Sequence, residues 1–177
     1  KELLEENPAN KVVLFAFFKD FLHLLQDACS SVTKSVLFTG DQNADQKDAA
    51  KQTFTDDKEC RLFLSSDAGG YGLDLPNANY LISYDLPWSA GKWDQRNARI
   101  IRLSSEFPEV TLMSMLMTGS IEERQYDALT QKQQIAAAIM DGKSGAVDNF
   151  GSIIRPIMAW DQQPGRRNGN ESDRSAQ

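Results

Sequence analysis

The chain is poor in the residues that build metal centres, disulfide frameworks and membrane anchors. It has one histidine, His23, and two cysteines, Cys29 and Cys60, which lie far apart with no further cysteine or histidine near either. That spacing excludes a zinc-type ligand set and a disulfide scaffold, and it fits reduced, packed thiols in a cytosolic-type compartment. Spanning a bilayer takes about 20 consecutive apolar residues, and the longest run here, residues 12–18, is only as long as a strand. No leader of basic then apolar residues opens the chain and no methionine starts it, so it is expected to be a piece of a longer protein. No G-x-x-x-x-G-K-[ST] phosphate loop, no acidic D-E-x-x box and no internal repeat occur. Basic surplus is missing too. With 25 Asp and Glu against 19 Lys and Arg the net charge is −6, which excludes a strongly basic nucleic-acid module but leaves the charge of any one groove open.

What is present suits one soluble domain with a proper core: 177 residues, 41% hydrophobic and 25% charged. Short apolar runs alternate with helical spacings. Strands are expected at residues 11–17, 35–39, 61–65, 80–84 and 110–117. A helix over 20–28 presents Phe21, Leu24, Leu25 and Ala28, and a helix over 46–54 follows Asp45 as cap. Further helices are expected over 89–101 and over 121–140, the latter with Ser120 as cap and Glu122 and Glu123 at its positive end. This alternation predicts an α/β fold with an open, mostly parallel sheet and helices on both faces. Met113, Met115 and Met117 alternate along their strand, so they share one sheet face, where packing against a helix is expected. His23, alone on its helix, reads as structural.

Residues 61–102 carry the chemistry. The strand at 61–65 runs into Ser66-Asp67-Ala68-Gly69-Gly70-Tyr71-Gly72, at the end of a parallel strand where α/β sheets bind ligands. Three glycines in four positions allow a tight turn and a close approach to phosphate, while Ser65, Ser66 and Asp67 can bond backbone amides or a ligand. A ligand-free turn fits this composition equally well. On the helix over 89–101, Gln95, Arg99 and Arg102 fall at i, i+4 and i+7, on one face. Two guanidiniums there suit phosphate oxygens, and a solvated face with ion pairs is the alternative.

Taken together, S-S-D-A-G-G-Y-G-L-D-L, then D-L-P-W, then Q-x-x-x-R-x-x-R resemble, in order and spacing, motifs V and VI of the Swi/Snf-type ATPases. These are helicase-like DNA translocases of superfamily two. Residues 12–25 are similar to the family's motif IV strand and helix, and the small-serine-isoleucine-glutamate-glutamate run at 119–123 also matches, so the resemblance covers roughly residues 10–140. Asp74 stands where the family usually has asparagine, Ser89-Ala90 where asparagine-proline usually follows the tryptophan, and Leu103-Ser104-Ser105 where motif VI usually continues otherwise. These departures mark a divergent member, of viral or prokaryotic kind.

The resemblance implies a three-layer RecA-like lobe at residues 11–142. Residues 1–10 would be the end of a linker from a first lobe, 143–160 an extension in which a short apolar segment docks on the lobe, and 161–177 a disordered tail. It implies ATP and Mg²⁺ held mainly by that first lobe of the same polypeptide, which carries the phosphate loop and acidic box absent here. Arg99 and Arg102 would reach the γ-phosphate, Gln95 would orient a phosphate contact or the attacking water, and Gly72 and Asp74 would lie against the nucleotide. Ser65, Ser66, Asp67 and Trp88 would contact the DNA backbone, although Trp88 also reads as a packed strand cap. The implied partners are DNA and the first lobe, with no metal bound by this lobe alone, no membrane, and an isolated lobe that is monomeric and inactive. The implied setting is intracellular: cytoplasm, nucleoid or nucleus, or the host cytoplasm for a viral member. A degenerate lobe binding DNA or protein without hydrolysis is the alternative, and an unrelated nucleotide- or small-molecule-binding α/β domain is a third reading.

Overall fold

The computed structural model describes residues 1–67 and 73–140. Residues 1–123 form one unit and a second begins at Arg124, inside the last helix. The expected extension at 143–160 and tail at 161–177 lie outside the described residues.

Five short strands, β1 (Val12–Phe15), β2 (Lys34–Phe38), β3 (Cys60–Ser65), β4 (Tyr80–Ser83) and β5 (Thr111–Ser114), form a sheet ordered β2-β3-β1-β4-β5. All four pairings are parallel, as expected, and they place Phe15 beside both Ser65 and Ser83. The central strands β3, β1 and β4 are mostly apolar because both faces are covered. On one face Val13, Phe15, Phe63 and Leu81 meet Ala50 and Phe54 of helix α3 (Ala44–Asp56) and, from farther along the chain, Leu73, Leu75 and Ile100. On the other, Val12, Leu14, Leu62 and Leu64 meet Leu4 of α1 (Glu2–Glu6) and Leu22 and Cys29 of α2 (Lys19–Cys29).

The opening residues, expected as the end of a linker or helix entering the lobe, form α1 and pack within this unit: Leu4 is buried, and Arg61 donates to its carbonyl at 2.7 Å. The buried stripe of α2 runs through Leu22 and Cys29, with Phe21 and Leu25 packed beside them, while Leu24 is exposed. The expected set at 21, 24, 25 and 28 is thus rotated on the helix. Helix α3 is capped by Asn43, not Asp45, because Asn43 and Gln46 form a reciprocal capping box. Cys29 and Cys60 are buried thiols, and no helix among the described residues is long and apolar enough to cross a membrane.

The largest departure is at β5. It is half the expected length, and Met113, Met115 and Met117 are 42%, 52% and 69% exposed. Alternation predicts a shared face but cannot say whether anything covers it, and β5 is an edge strand. After it, Gly119 adopts a left-handed φ of +73° that only glycine takes without strain. That turn lets Ser120 accept from the amide of Glu122, while Glu122 and Glu123 reach back to the amides of Met117 and Gly119 at the start of α5 (Ile121–Met140).

Candidate functional site

Parallel strands deliver their loops to one edge of the sheet, and the candidate site is built where β1, β3 and β4 end. Helix α4 spans only Ala90–Asn97, not 89–101, and the chain turns at Ala98. Its continuation is captured by tertiary bonds: the carbonyl of Arg99 accepts from Leu75 N at 2.9 Å, and Ile100 is wholly buried. The expected common face for Gln95, Arg99 and Arg102 does not form. Gln95 stays exposed on α4 while both arginines leave the helix.

Arg99 and Arg102 instead hold the segment that follows residues 68–72. Arg99 Nη1 donates to Leu73 O at 2.9 Å, and Arg102 Nε donates to Asp74 Oδ1 at 2.7 Å. Burial lowers the pKa of Arg99 from its ordinary value, and the neighbouring Arg102 guanidinium lowers it further against an opposing pull from Asp74. A guanidinium has so much range above neutrality that Arg99 stays charged. It is a cation with incomplete counter-charge. Both Arg102 and Asp74 keep over two-fifths of their side chains exposed.

A third arginine, not singled out by the sequence reading, is the most tightly held. Arg96 is 3% exposed. Its Nε meets Asp67 Oδ1 at 2.6 Å, its Nη1 donates to the carbonyl of Asp85 at 2.5 Å, and its guanidinium lies 5.3 and 5.2 Å from the ring centres of Phe15 and Phe17. Asp85 Oδ2 accepts from Phe17 N at 2.8 Å, which closes the network. The available signal was an ambiguity, since R-x-x-R occurs twice in overlapping register, at 96/99 and at 99/102.

These contacts reassign two expected DNA contacts. Ser65 has no exposed surface and its hydroxyl donates to the carbonyl of Ser66, so it cannot reach a phosphate. The Asp67 carboxylate is bound to Arg96, which makes it an anchor. Ser66 is 4% exposed, with an Oγ that has no hydrogen-bond partner among the described residues. Trp88 is 62% exposed, which removes the packed strand-cap alternative. Gly72 lies outside the described residues.

The helicase conserved C-terminal domain model matches residues 1–104. The chain belongs to that family. It is a Swi/Snf-type helicase C-terminal lobe with a RecA-like α/β fold. It is 31% identical over 140 residues to the human DNA repair and recombination protein RAD54B, covering 77% of this chain and 15% of the relative. With the DNA repair protein rhp54 of Schizosaccharomyces pombe it shares 28% identity over 141 residues, 78% of this chain and 16% of that one. The lobe thus spans about a sixth of these relatives' length. Among solved structures, the C-terminal part of the Fun30 ATPase domain aligns with a TM-score of 0.64 at 26% identity, covering 72% of this chain and 41% of that one.

Proposed function

We propose that this lobe is the second motor lobe of an ATP-dependent DNA translocase, working inside the cell with a first lobe of the same polypeptide. The observation that carries the proposal is the mounting of Arg99 and Arg102 on the Leu73–Asp74 backbone and carboxylate. Arg102 bonds through Nε to an exposed carboxylate and Arg99 through Nη1 to a carbonyl, which leaves other N–H groups of each guanidinium available for an anion. The half-buried Arg99, with a second cation beside it, fits the edge of a polyphosphate. ATP between the lobes supplies the phosphoanhydride bond whose cleavage powers movement, with Mg²⁺ and the phosphate loop on the first lobe. Arg99 and Arg102 stabilise charge on the γ-phosphate, Gln95 orients a phosphate contact or the attacking water, and Gly72 and Asp74 border the nucleotide. Trp88, exposed on the turn after β4, meets the DNA backbone.

The test is DNA-stimulated ATP hydrolysis by the full-length protein, with Arg99→Ala and Arg102→Ala beside the wild type. Arginines acting on the transferred phosphate are worth about 10³–10⁵ in rate, so turnover should fall by at least about 10³-fold with ATP still bound. Variants that hydrolyse like the wild type would replace this reading with that of a non-catalytic DNA- or protein-binding lobe.

A further inference from the structure

Arg96 is fastened to three chain segments at once. Asp67 belongs to the exit of β3, Asp85 to the exit of β4, and Phe15 and Phe17 to the end of β1. A guanidinium can do this because it is planar: its edge forms two directed bonds while its faces stack on rings. At 3% exposure it is out of reach of a phosphate on another lobe. One turn later, the carbonyl and Nη1 of Arg99 hold Leu75 and Leu73. Asp67 and Leu73 flank residues 68–72, so both ends of that glycine-rich stretch are tied to the short segment 96–99. Through Asp85 the same segment is tied to the turn that carries Trp88.

We infer that Arg96 is a positioning residue which, paired with Asp67, transmits DNA contact at the exposed Trp88 to the arginines that act on nucleotide. The inference rests on the proposed function. A rigid link between the two surfaces makes engagement of one shift the geometry of the other, and loosening the link uncouples them without removing a group from either surface. Lysine keeps the charge opposite Asp67 but has no fork with which to hold the Asp85 carbonyl at the same time.

The experiment compares turnover with and without duplex DNA for the full-length wild type, Arg96→Lys and Asp67→Asn, alongside the ATP concentration dependence of each. The ratio of DNA-stimulated to DNA-free turnover is expected to fall about tenfold in both variants, within the usual range of coupling between two sites. A ratio equal to the wild type's overturns the inference, whether turnover is unchanged or falls equally in both conditions as it would for a directly catalytic or merely structural arginine. Asp67→Asn, an isosteric change, keeps the test valid if Arg96→Lys folds poorly. A wild type that DNA does not stimulate overturns the translocase reading itself, an outcome read before any variant is considered.

Discussion

Two arginine–aspartate pairs flank the glycine-rich stretch, and they are nearly identical in bond geometry. Arg96 meets Asp67 through Nε and Oδ1 at 2.6 Å, and Arg102 meets Asp74 through the same atoms at 2.7 Å. Their surroundings differ. The first pair has side-chain exposures of 3% and 26%, the second of 42% and 46%. Distance therefore says little about what each does. Out of water a charge is costly unless its partner stays, so the inner pair is committed to the fold. In water an ion pair is worth about 0–1 kcal/mol, so the outer pair can open and let Arg102 take another anion. The lobe combines a fixed joint with an exchangeable one, and only the exchangeable one suits a nucleotide that comes and goes.

The sharpest way to break this comparison is to remove one carboxylate from each pair. Asp67→Ala strands a buried guanidinium, and urea unfolding should show a loss of about 3 kcal/mol, near the low end for a broken buried pair because Asp67 keeps some contact with water. Replacing the pair together, as Asp67→Leu with Arg96→Met, should recover most of that loss, since apolar side chains of similar size carry no desolvation cost. If the single and double variants are equally unstable, the damage lies in packing on Phe15 and Phe17 rather than in the stranded charge. Asp74→Ala should cost less than about 1 kcal/mol. Raising ionic strength from 0.1 to 1 M shortens the screening length from about 10 to about 3 Å, so the Asp74→Ala effect should vanish there while the Asp67→Ala effect persists. A salt-insensitive Asp74→Ala loss would mean the outer pair is as fixed as the inner.

The sheet was legible because its strands are short continuous apolar runs bounded by turn residues, and the family was legible because several motifs agree in register. The site was legible only in outline. Periodicity carried α4 on to residue 101, since nothing local forbids a helix there; it is Leu75, distant in sequence, that takes the Arg99 carbonyl. The overlapping R-x-x-R registers could not be resolved without knowing that Asp67 lies against Arg96. The capping box at Asn43 and Gln46, by contrast, is a local pattern that the sequence carries in full, and it outcompetes Asp45 as cap. The exposure of Met113, Met115 and Met117 was beyond the sequence, because alternation assigns a face and not a neighbour.

Because the Asp67 and Leu73 ends of residues 68–72 are both moored to one short segment, the distance that stretch spans is set by the mooring and not by its own length. The two anchors thus act as one hinge plate, and a change that moves residues 96–99 moves both ends of the stretch together.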